Sequence, residues 1–202
     1  MNALLIIDVQ QDFCPGGALA VPEGNLIVPI INRLVPRFPL VAATRDWHPL
    51  RHISFASRHG RQPGESVPVA AGTQMLWPDH CVQGTPGAEF HPDLDRTGLN
   101  LILHKGCSAD LDSYSAFLEN DRTTPTGLAG WLRERGADTV YLCGLATDYC
   151  VHYSALDARA AGFRTCLITD AVRGVDIPAG SIDAALASMA DAGVEFISSR
   201  RI

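Results

Sequence analysis

The 202-residue sequence lacks several features that would place it in a specialised class. No apolar run approaches the roughly 20 residues of a membrane-spanning helix. The apolar start, MNALLIIDVQQDF, has no basic segment before it, so it does not indicate a signal peptide. No block of like charges is present, and the net charge of −6 does not favour nucleic-acid binding. We therefore expect a cytoplasmic protein that binds neither membranes nor nucleic acid.

The spacing of the cysteines and the scarcity of lysine both bear on the kind of site the chain contains. Six cysteines in a chain of this length, with no CxxC pair, do not indicate a disulfide framework or a dithiol redox site. Lys105 is the only lysine, and the other 15 basic residues are arginine. A compositional bias towards arginine explains why lysine is scarce, but it does not explain why a lysine is kept at position 105. Because a compact ammonium differs from a planar guanidinium, we expect Lys105 to be functional.

Apolar runs alternate with helical patterns along the chain, which we expect to form one domain over residues 1–202. Continuous apolar runs predict buried strands at residues 3–9, 40–44, 100–104, 139–143, 164–169 and 194–198. Apolar residues at helical spacing predict helices within residues 27–35, 128–132, 149–161 and 182–189. This alternation is typical of an α/β three-layer sandwich, with helices on both faces of a six-stranded parallel sheet.

Residues 47–99 depart from this rhythm and predict a loop-rich insertion. The segment is rich in Pro, Gly and His and has little periodicity. So long an irregular segment is usually functional or disordered, and its interleaved aromatic residues favour an ordered, site-forming insertion. It contains five of the seven histidines: His48, His52, His59, His80 and His91. We expect His59 and His91 to face solvent.

Polar residues follow the predicted strands, where an α/β sheet places its site. Asp8 lies at the end of the first strand, Asp46 and His48 follow the second, and Lys105 follows the third. The fourth strand runs into a turn that leads to Cys150. Because parallel strands end at one edge of the sheet, we expect these residues to converge.

Cys150 lies near the predicted start of a helix. Backbone N–H groups and the helix dipole there are expected to lower the pKa of the thiol. Asp8 is a candidate base for the thiol proton, and Lys105 a candidate cation for the resulting anion. Considered alone, Cys150 fits a buried structural cysteine slightly better than a nucleophile. Beside Asp8 and Lys105, it is a candidate nucleophile.

A metal site is a further hypothesis. Asp46, His48 and His80 provide two imidazoles and one carboxylate, a set that suits Zn²⁺ or Fe²⁺ and also Mn²⁺. The DxH spacing alone favours surface histidines over metal ligands. His52 is a candidate extra ligand or a residue that orients one. Phe13 and Trp77 are candidates to enclose a flat aromatic ligand, with core packing as the alternative.

The residues resemble nicotinamidases, within the isochorismatase-like hydrolases, from Leu5 to about Asp170. The resemblance rests on five ordered segments: IIDVQQDF with GGAL, TRDWHP with HISFAS, WPDHCVQGT, KG followed by DSYSAF, and CGLATDYCV. It implies the isochorismatase-like hydrolase fold, in which a six-stranded parallel sheet lies between helices. No catalytic or ligand position departs from the family pattern.

The resemblance also implies a role for each matching residue. The implied catalytic triad is Asp8, Lys105 and Cys150. The implied metal ligands are Asp46, His48 and His80, with His52 a ligand only in some members. The implied oxyanion-hole donors are the N–H groups of Ala146 and Cys150, after a cis peptide between Leu145 and Ala146. The implied substrate-binding residues are Phe13, Trp77 and Tyr114.

The implied activity is metal-dependent hydrolysis of nicotinamide to nicotinate and ammonia in NAD salvage, through a cysteine thioester. Pyrazinamide-like analogues are expected substrates, and one divalent metal ion, Zn²⁺ before Fe²⁺ or Mn²⁺, is the expected cofactor. The alternatives are a metal-independent amidohydrolase of the same family acting on an N-carbamoyl or ureido compound, and a non-catalytic metal- or ligand-binding module. Isochorismatase chemistry is disfavoured because it does not need the cysteine. The sequence leaves open whether the protein is a monomer or a homo-oligomer.

Overall fold

The computed structural model describes residues 1–202 and is built around a six-stranded parallel sheet. The strands are β1 (Asn2–Ile7), β2 (Leu40–Asp46), β3 (Ser66–Val69), β4 (Gly72–Met75), β5 (Leu101–Lys105), β6 (Thr139–Leu145), β7 (Arg164–Arg173) and β8 (Glu195–Ile197). The α-helices are α1 (Val28–Leu34), α2 (Ala56–His59), α3 (Leu128–Glu134), α4 (His152–Ala160) and α5 (Ser181–Asp191). None of these helices is long and apolar enough to cross a bilayer.

The strand order of the sheet is β5-β2-β1-β6-β7-β8, and every neighbouring pair is parallel. The chain moves outwards from β1 through β2 to β5. It then returns to the centre at β6 and continues outwards on the other side. The order therefore reverses between β1 and β6, and in open α/β sheets ligands bind at such a switch point, outside the carboxyl ends of the strands.

Both faces of the sheet are covered, which explains the continuous apolar run of β1. Leu4 and Ile6 belong to a core cluster shared with α1. Leu5 and Ile7 belong to a second cluster shared with α3, α4 and α5. The alternate side chains of β1 thus enter opposite cores, and the predicted three-layer fold is confirmed.

The strands differ from the sequence prediction mainly at their carboxyl ends. β7 continues to Arg173, beyond the predicted end at residue 169, and its register against β6 shifts between Leu142 and Gly144. Gly144 has a φ of 118°, and a Cβ atom there would lie 2.0 Å from the Ile7 carbonyl oxygen. Glycine therefore permits the close approach of β1 and β6 at the switch point.

The insertion at residues 47–99 is ordered and folds over the carboxyl edge of the sheet. It contains α2 and the antiparallel hairpin formed by β3 and β4, which apolar periodicity did not predict. Isolated β-bridges tie the insertion together and to the strand ends, including one between Gln10 and Phe90 and one between Phe55 and Trp77. The insertion consequently contributes side chains to the site at the switch point.

Candidate active site

Four polar residues meet at adjacent strand ends, as the sequence predicts. Asp8 follows β1, and Cys150 lies in a π-helical turn (Thr147–Val151) after β6, on the other side of the switch point. Asp46 and Lys105 are the last residues of β2 and β5, and they pair in register. All four residues are buried, Lys105 completely. Parallel strand pairing therefore brings together residues that are far apart in sequence.

The Lys105 ammonium lies at the centre of this cluster. Its Nζ atom lies 2.9 Å from Asp8 Oδ2 and 3.4 Å from Cys150 Sγ. It also donates hydrogen bonds to Asp46 Oδ1 and, at 2.9 Å, to the Ser113 carbonyl oxygen. One cation thus contacts two buried carboxylates and the thiol. A carboxylate oxygen of Asp8, one of Asp46 and Cys150 Sγ all lie within 4.8 Å of one another.

Burial and the ammonium act in opposite directions on the ionisable groups. Burial raises the pKa of the Asp8 carboxyl, although the Lys105 charge opposes the shift. Burial also disfavours the charged form of Lys105, but the two carboxylates outweigh it and raise its pKa well above the usual value. The resting site therefore holds a charged ammonium beside a carboxylate that accepts a proton more readily than an exposed one.

The expectation that a helix start lowers the pKa of Cys150 is wrong. α4 begins only at His152, and Cys150 lies in the preceding turn, 6% exposed. Burial raises the pKa of the thiol well above its usual value, and Lys105 is the group that opposes this shift. A nearby base is therefore needed before the sulfur can act as a nucleophile. The peptide between Leu145 and Ala146, just before the turn, is cis, as the resemblance implies.

Asp46, His48 and His80 form a buried set of potential metal ligands. His48 Nδ1 lies 2.9 Å from the Gly106 carbonyl oxygen, and His80 Nδ1 lies 2.7 Å from that of Pro78. With Nδ1 bonded to a backbone carbonyl in each ring, the Nε2 atoms face Asp46 Oδ2, at 3.5 and 3.9 Å. A Cβ atom at position 106 would lie 2.5 Å from His48 Cε1, so glycine at this position leaves room for the His48 ring.

The protonation states of these residues fit a divalent cation. Burial, reinforced by the charge on His48, lowers the pKa of His80 to about 4, so its ring is neutral at pH 7. Burial disfavours ionisation of Asp46, but Lys105 and His48 outweigh it and lower the pKa of the carboxyl. The pKa of His48 is raised because Asp46 outweighs burial, so a metal ion competes with a proton there. Two imidazole nitrogens and an anionic oxygen are the donor set that such an ion requires.

His52 lies beside the metal-ligand set but uses both ring nitrogens within the protein. Its Nδ1 atom lies 2.7 Å from Ser54 Oγ, and its Nε2 atom lies 3.3 Å from the Leu111 carbonyl oxygen. The ring stacks on His48 with centroids 4.0 Å apart. A ligand set of His48, His52 and Asp112 also lies within 4.8 Å, so direct ligation by His52 stays a prediction.

The other histidines lie outside this cluster. His59 and His91, expected to face solvent, are only partly exposed, and the His91 side chain is 17% exposed. His104 stacks on Trp47 with ring centroids 4.6 Å apart, and His152 is hydrogen-bonded to Ser188. Both contacts indicate structural roles for His104 and His152.

Gln10, which the sequence analysis missed, holds the backbone of Asp46. Its Oε1 accepts the Asp46 N–H at 2.8 Å, and its Nε2 donates to the Asp46 carbonyl at 2.8 Å and to the Ala88 carbonyl at 2.9 Å. The side chain is fully buried. One amide therefore bonds both main-chain groups of a potential metal ligand. No spacing rule finds this role, because the partners lie 36 and 78 residues away.

Asp12, also missed, stabilises the chain beside His80. Its Oδ2 accepts the Cys81 N–H at 2.7 Å, and its Oδ1 accepts the Ala18 N–H at 3.2 Å. Cys81 has a φ of 46°, a left-handed conformation that residues other than glycine adopt infrequently. The Asp12 carboxylate therefore supports the strained turn that directs His80 towards Asp46.

Replacing Gln10 with methionine is expected to weaken metal binding by roughly 10- to 100-fold, the usual cost of losing a group that orients a ligand. Methionine has a similar volume but cannot bond the Asp46 backbone. Competition between the protein and a chromogenic zinc chelator would measure the affinity. Gln62→Met is a matched control, because Gln62 is exposed and away from the site. Equal affinity of the Gln10 variant and the wild type would contradict the positioning role.

A pocket opens beside Cys150, with an empty volume of about 420 Å³ including its mouth. Phe13, Trp77 and Tyr114 line it, as the resemblance implies. The indole N–H of Trp77 donates to the Tyr114 hydroxyl at 3.2 Å. Tyr149 packs edge-on against Trp77 with centroids 5.0 Å apart. Aromatic walls therefore border the same space as the sulfur atom.

The pocket has further lining residues that the sequence analysis did not identify: Leu19, Asp112, Tyr149 and Val175. Asp112 is buried and accepts hydrogen bonds from the Ser113 N–H and the Gln74 side chain, each at 2.8 Å. It adds a second carboxylate to a mainly apolar pocket. The segment DSYSAF, which contains Asp112, was part of the resemblance, but its spacing assigned no role to the aspartate.

These features define a class of protein: an α/β sandwich with the elements of a metal-assisted cysteine hydrolase at its switch point. A buried thiol, a carboxylate and an ammonium lie beside a potential metal site and an aromatic pocket. The chain also matches the family described as the Isochorismatase domain over residues 2–201, and it belongs to this family.

Similar proteins agree with this assignment over the full length of the chain. A nicotinamidase of Acinetobacter baylyi is 51% identical over 201 residues, covering 99% of this chain and 94% of the relative. The structure of an Acinetobacter baumanii nicotinamidase and pyrazinamidase superposes with a TM-score of 0.97 at 52% identity, covering 99% and 97% of the two chains. A Pyrococcus horikoshii pyrazinamidase in complex with zinc gives 0.79 at 41% identity, covering 98% of each chain.

Proposed function

We propose that this protein is a metal-dependent nicotinamidase, which hydrolyses nicotinamide to nicotinate and ammonia in NAD salvage and also accepts pyrazinamide-like analogues. The observation that carries the proposal is the position of Cys150 Sγ, 3.4 Å from Lys105 Nζ and on the wall of an aromatic pocket. Potential metal ligands line the same pocket. Full-length similarity to the nicotinamidase and pyrazinamidases described above supports the substrate class.

The proposed catalytic residues are Asp8, Lys105 and Cys150. Asp8 is the base for the thiol, since one of its carboxylate oxygens lies within 4.8 Å of Cys150 Sγ and burial raises the pKa of its carboxyl. Lys105 stabilises the thiolate as it forms, because its ammonium is the nearest cation to the sulfur. Cys150 is the nucleophile.

The aromatic ring of the substrate is bound by Phe13, Trp77 and Tyr114. All three line the pocket, and the Trp77–Tyr114 hydrogen bond fixes two of its walls. A flat ring in this space presents its carboxamide to Cys150. The N–H groups of Ala146 and Cys150, which border the same pocket, stabilise the oxyanion.

The proposed cofactor is one divalent ion, Zn²⁺ before Fe²⁺ or Mn²⁺, held by Asp46, His48 and His80. When bound, it supplies a Lewis acid for the ring nitrogen of the substrate. The chain's own residues fix its ligands, since backbone carbonyls set the histidine tautomers and Lys105 binds the second oxygen of Asp46.

Acylation proceeds as Asp8 takes the thiol proton and Cys150 Sγ bonds to the carboxamide carbon. The carbonyl electron pair moves to the oxygen, which accepts hydrogen bonds from the Ala146 and Cys150 N–H groups. The C=O bond then re-forms and the C–N bond breaks. The leaving nitrogen takes the proton from Asp8 and departs as ammonia, so that the acyl group remains on sulfur as a thioester.

Deacylation repeats the role of Asp8, which again accepts a proton from the nucleophile and then passes it to the leaving group. Asp8, ionised again, accepts a proton from a water molecule whose oxygen attacks the thioester carbon. Sulfur leaves as the thiolate beside Lys105 and recovers the proton from Asp8. The carboxylic acid that forms loses its remaining proton to solvent and leaves as nicotinate, and the resting thiol is restored.

Ammonia release from a panel of nicotinamide, pyrazinamide, benzamide and an N-carbamoyl amino acid tests the proposal. We expect nicotinamide and pyrazinamide to exceed benzamide, which lacks the ring nitrogen. We also expect dialysis against a chelator to abolish turnover, and added Zn²⁺, Fe²⁺ or Mn²⁺ to restore it. Full activity of metal-free protein, or turnover of the N-carbamoyl compound in place of nicotinamide, would support the metal-independent alternative. No turnover of any amide would support a binding module.

A further inference from the structure

A second concave surface lies away from the catalytic pocket and is lined largely by arginine side chains, whereas the catalytic pocket is mainly apolar. It is an open groove with an empty volume of about 1130 Å³ including its mouth. Its walls are α1 with the following 3₁₀ turn (Val35–Arg37), the end of β7, and a C-terminal 3₁₀ turn (Ser199–Arg201). The residues that define this arginine groove are Arg33, Arg37, Arg173, Arg200, Ile30 and Leu34.

The positive charge of the arginine groove is largely unneutralised. Arg33, Arg37 and Arg200 form no ion pair, whereas many other arginines of the chain do, for example Arg45 and Arg164. Such a cluster is unexpected in a chain with a net charge of −6. Like charges at this density repel one another unless an anion lies between them.

Arg173 is the one arginine of the groove with an acidic partner, and its ion pair with Glu23 is weak. Arg173 Nε lies 3.3 Å from Glu23 Oε2, and the Glu23 side chain is 66% exposed. The Arg173 guanidinium is 30% exposed and also donates to the Val172 carbonyl oxygen. Its charge therefore adds to those of Arg33, Arg37 and Arg200.

Asp170 also lines the groove but does not pair with the arginines. Its oxygens accept the Ser199 N–H at 2.7 Å, the Ser199 hydroxyl at 2.6 Å and the Ser198 hydroxyl at 3.4 Å. The carboxylate thus stabilises the C-terminal turn that presents Arg200. Four guanidinium groups thus line the groove beside one carboxylate, which already accepts three hydrogen bonds from the C-terminal turn and forms no ion pair.

We propose that the arginine groove binds the phosphate group of a small molecule. Guanidinium groups bind phosphate oxygens through paired hydrogen bonds, and several of them suit a group with more than one negative charge. Arg33 and Arg37, four residues apart, belong to the wall formed by α1 and the following 3₁₀ turn, and Arg200 belongs to the wall formed by the C-terminal turn. Ile30, which is partly exposed, provides an apolar surface against which the organic part of a phosphate ester packs.

Isothermal titration calorimetry at low ionic strength with pyrophosphate, ADP and adenosine tests this site. We expect saturable binding of pyrophosphate and ADP and none of adenosine. Tighter binding of ADP than of pyrophosphate would identify an ester as the preferred source of the phosphate, and the reverse would identify the free anion. Absence of saturable pyrophosphate and ADP binding would overturn the proposal, as would adenosine binding as tightly as ADP.

Paired double variants separate a built site from general attraction to positive charge. Arg33→Gln with Arg37→Gln is expected to weaken binding by roughly tenfold or more, since two guanidinium contacts are lost. Arg51→Gln with Arg96→Gln removes the same charge from exposed arginines outside the groove and is expected to change affinity less than about twofold. Equal weakening by the two double variants would overturn the proposal. Neither pair touches the catalytic pocket, so unchanged amide hydrolysis and melting temperature report intact folding.

Discussion

Replacing Cys150 with alanine is expected to reduce ammonia release from nicotinamide by more than roughly 10⁴-fold, the scale found when a nucleophile is removed. Without Sγ no thioester forms, and the remaining groups can only assist direct attack by water. Initial rates at high enzyme concentration, followed by a coupled ammonia assay, would measure the loss. Metal content is expected to stay at the wild-type level, because Cys150 is not among Asp46, His48 and His80.

Cys143→Ala is the matched control for this variant. Cys143 is buried like Cys150 and lies in β6, seven residues before it, but it does not line the pocket. We expect the control to lose some stability, because a buried atom is removed, while keeping its rate within about threefold of the wild type. A Cys150→Ala rate within tenfold of the wild type would contradict the nucleophile assignment.

Local sequence was sufficient to predict the sheet and the edge that carries the site. The apolar run of β1 predicts a strand buried on both faces, and the polar residues Asp8, Asp46 and Lys105 come where such strands end. Parallel pairing does the rest, since strands that end together place these residues together. The unique lysine was a correct signal of a special environment, because Lys105 is completely buried between carboxylates.

The properties that depend on tertiary packing could not be predicted in the same way. A helix start near Cys150 predicts a lowered pKa, but the surrounding protein buries the thiol and reverses the shift. Gln10 and Asp12 act on backbone groups of residues distant in sequence, which no local pattern records. His48 and His80 were candidate ligands before the resemblance was considered, but spacing alone favours surface histidines, and only the resemblance implied that both bind metal.

Asp46 links the two halves of the candidate site. Its Oδ1 accepts a hydrogen bond from Lys105, while its Oδ2 faces the Nε2 atoms of His48 and His80. The ammonium that lies beside the thiol thus also fixes a potential metal ligand. Changes at Lys105 are therefore expected to affect stability, metal binding and thiol chemistry together.

Replacing Lys105 with methionine is expected to lower kcat by roughly 10³-fold or more and to destabilise the fold by about 3–5 kcal/mol. Methionine matches the length of the aliphatic stem but leaves Asp8 and Asp46 buried without their cation. The thiolate of Cys150 loses its nearest positive charge at the same time. Steady-state kinetics and chemical denaturation would measure the two losses.

Two further variants separate charge from shape in this prediction. Arg164→Met removes a cation from an exposed ion pair with Glu195 and is expected to cost less than about 1 kcal/mol, with unchanged kcat. Lys105→Arg keeps the charge but replaces the compact ammonium with a wider planar group. Position 105 is fully buried, so the surrounding protein leaves little room for that group. We expect it to fail to restore kcat, because the guanidinium cannot reach Asp8, Asp46 and the sulfur from one compact centre. Wild-type kcat in Lys105→Arg would show that any buried cation suffices, and wild-type stability in Lys105→Met would contradict the ion-pair argument.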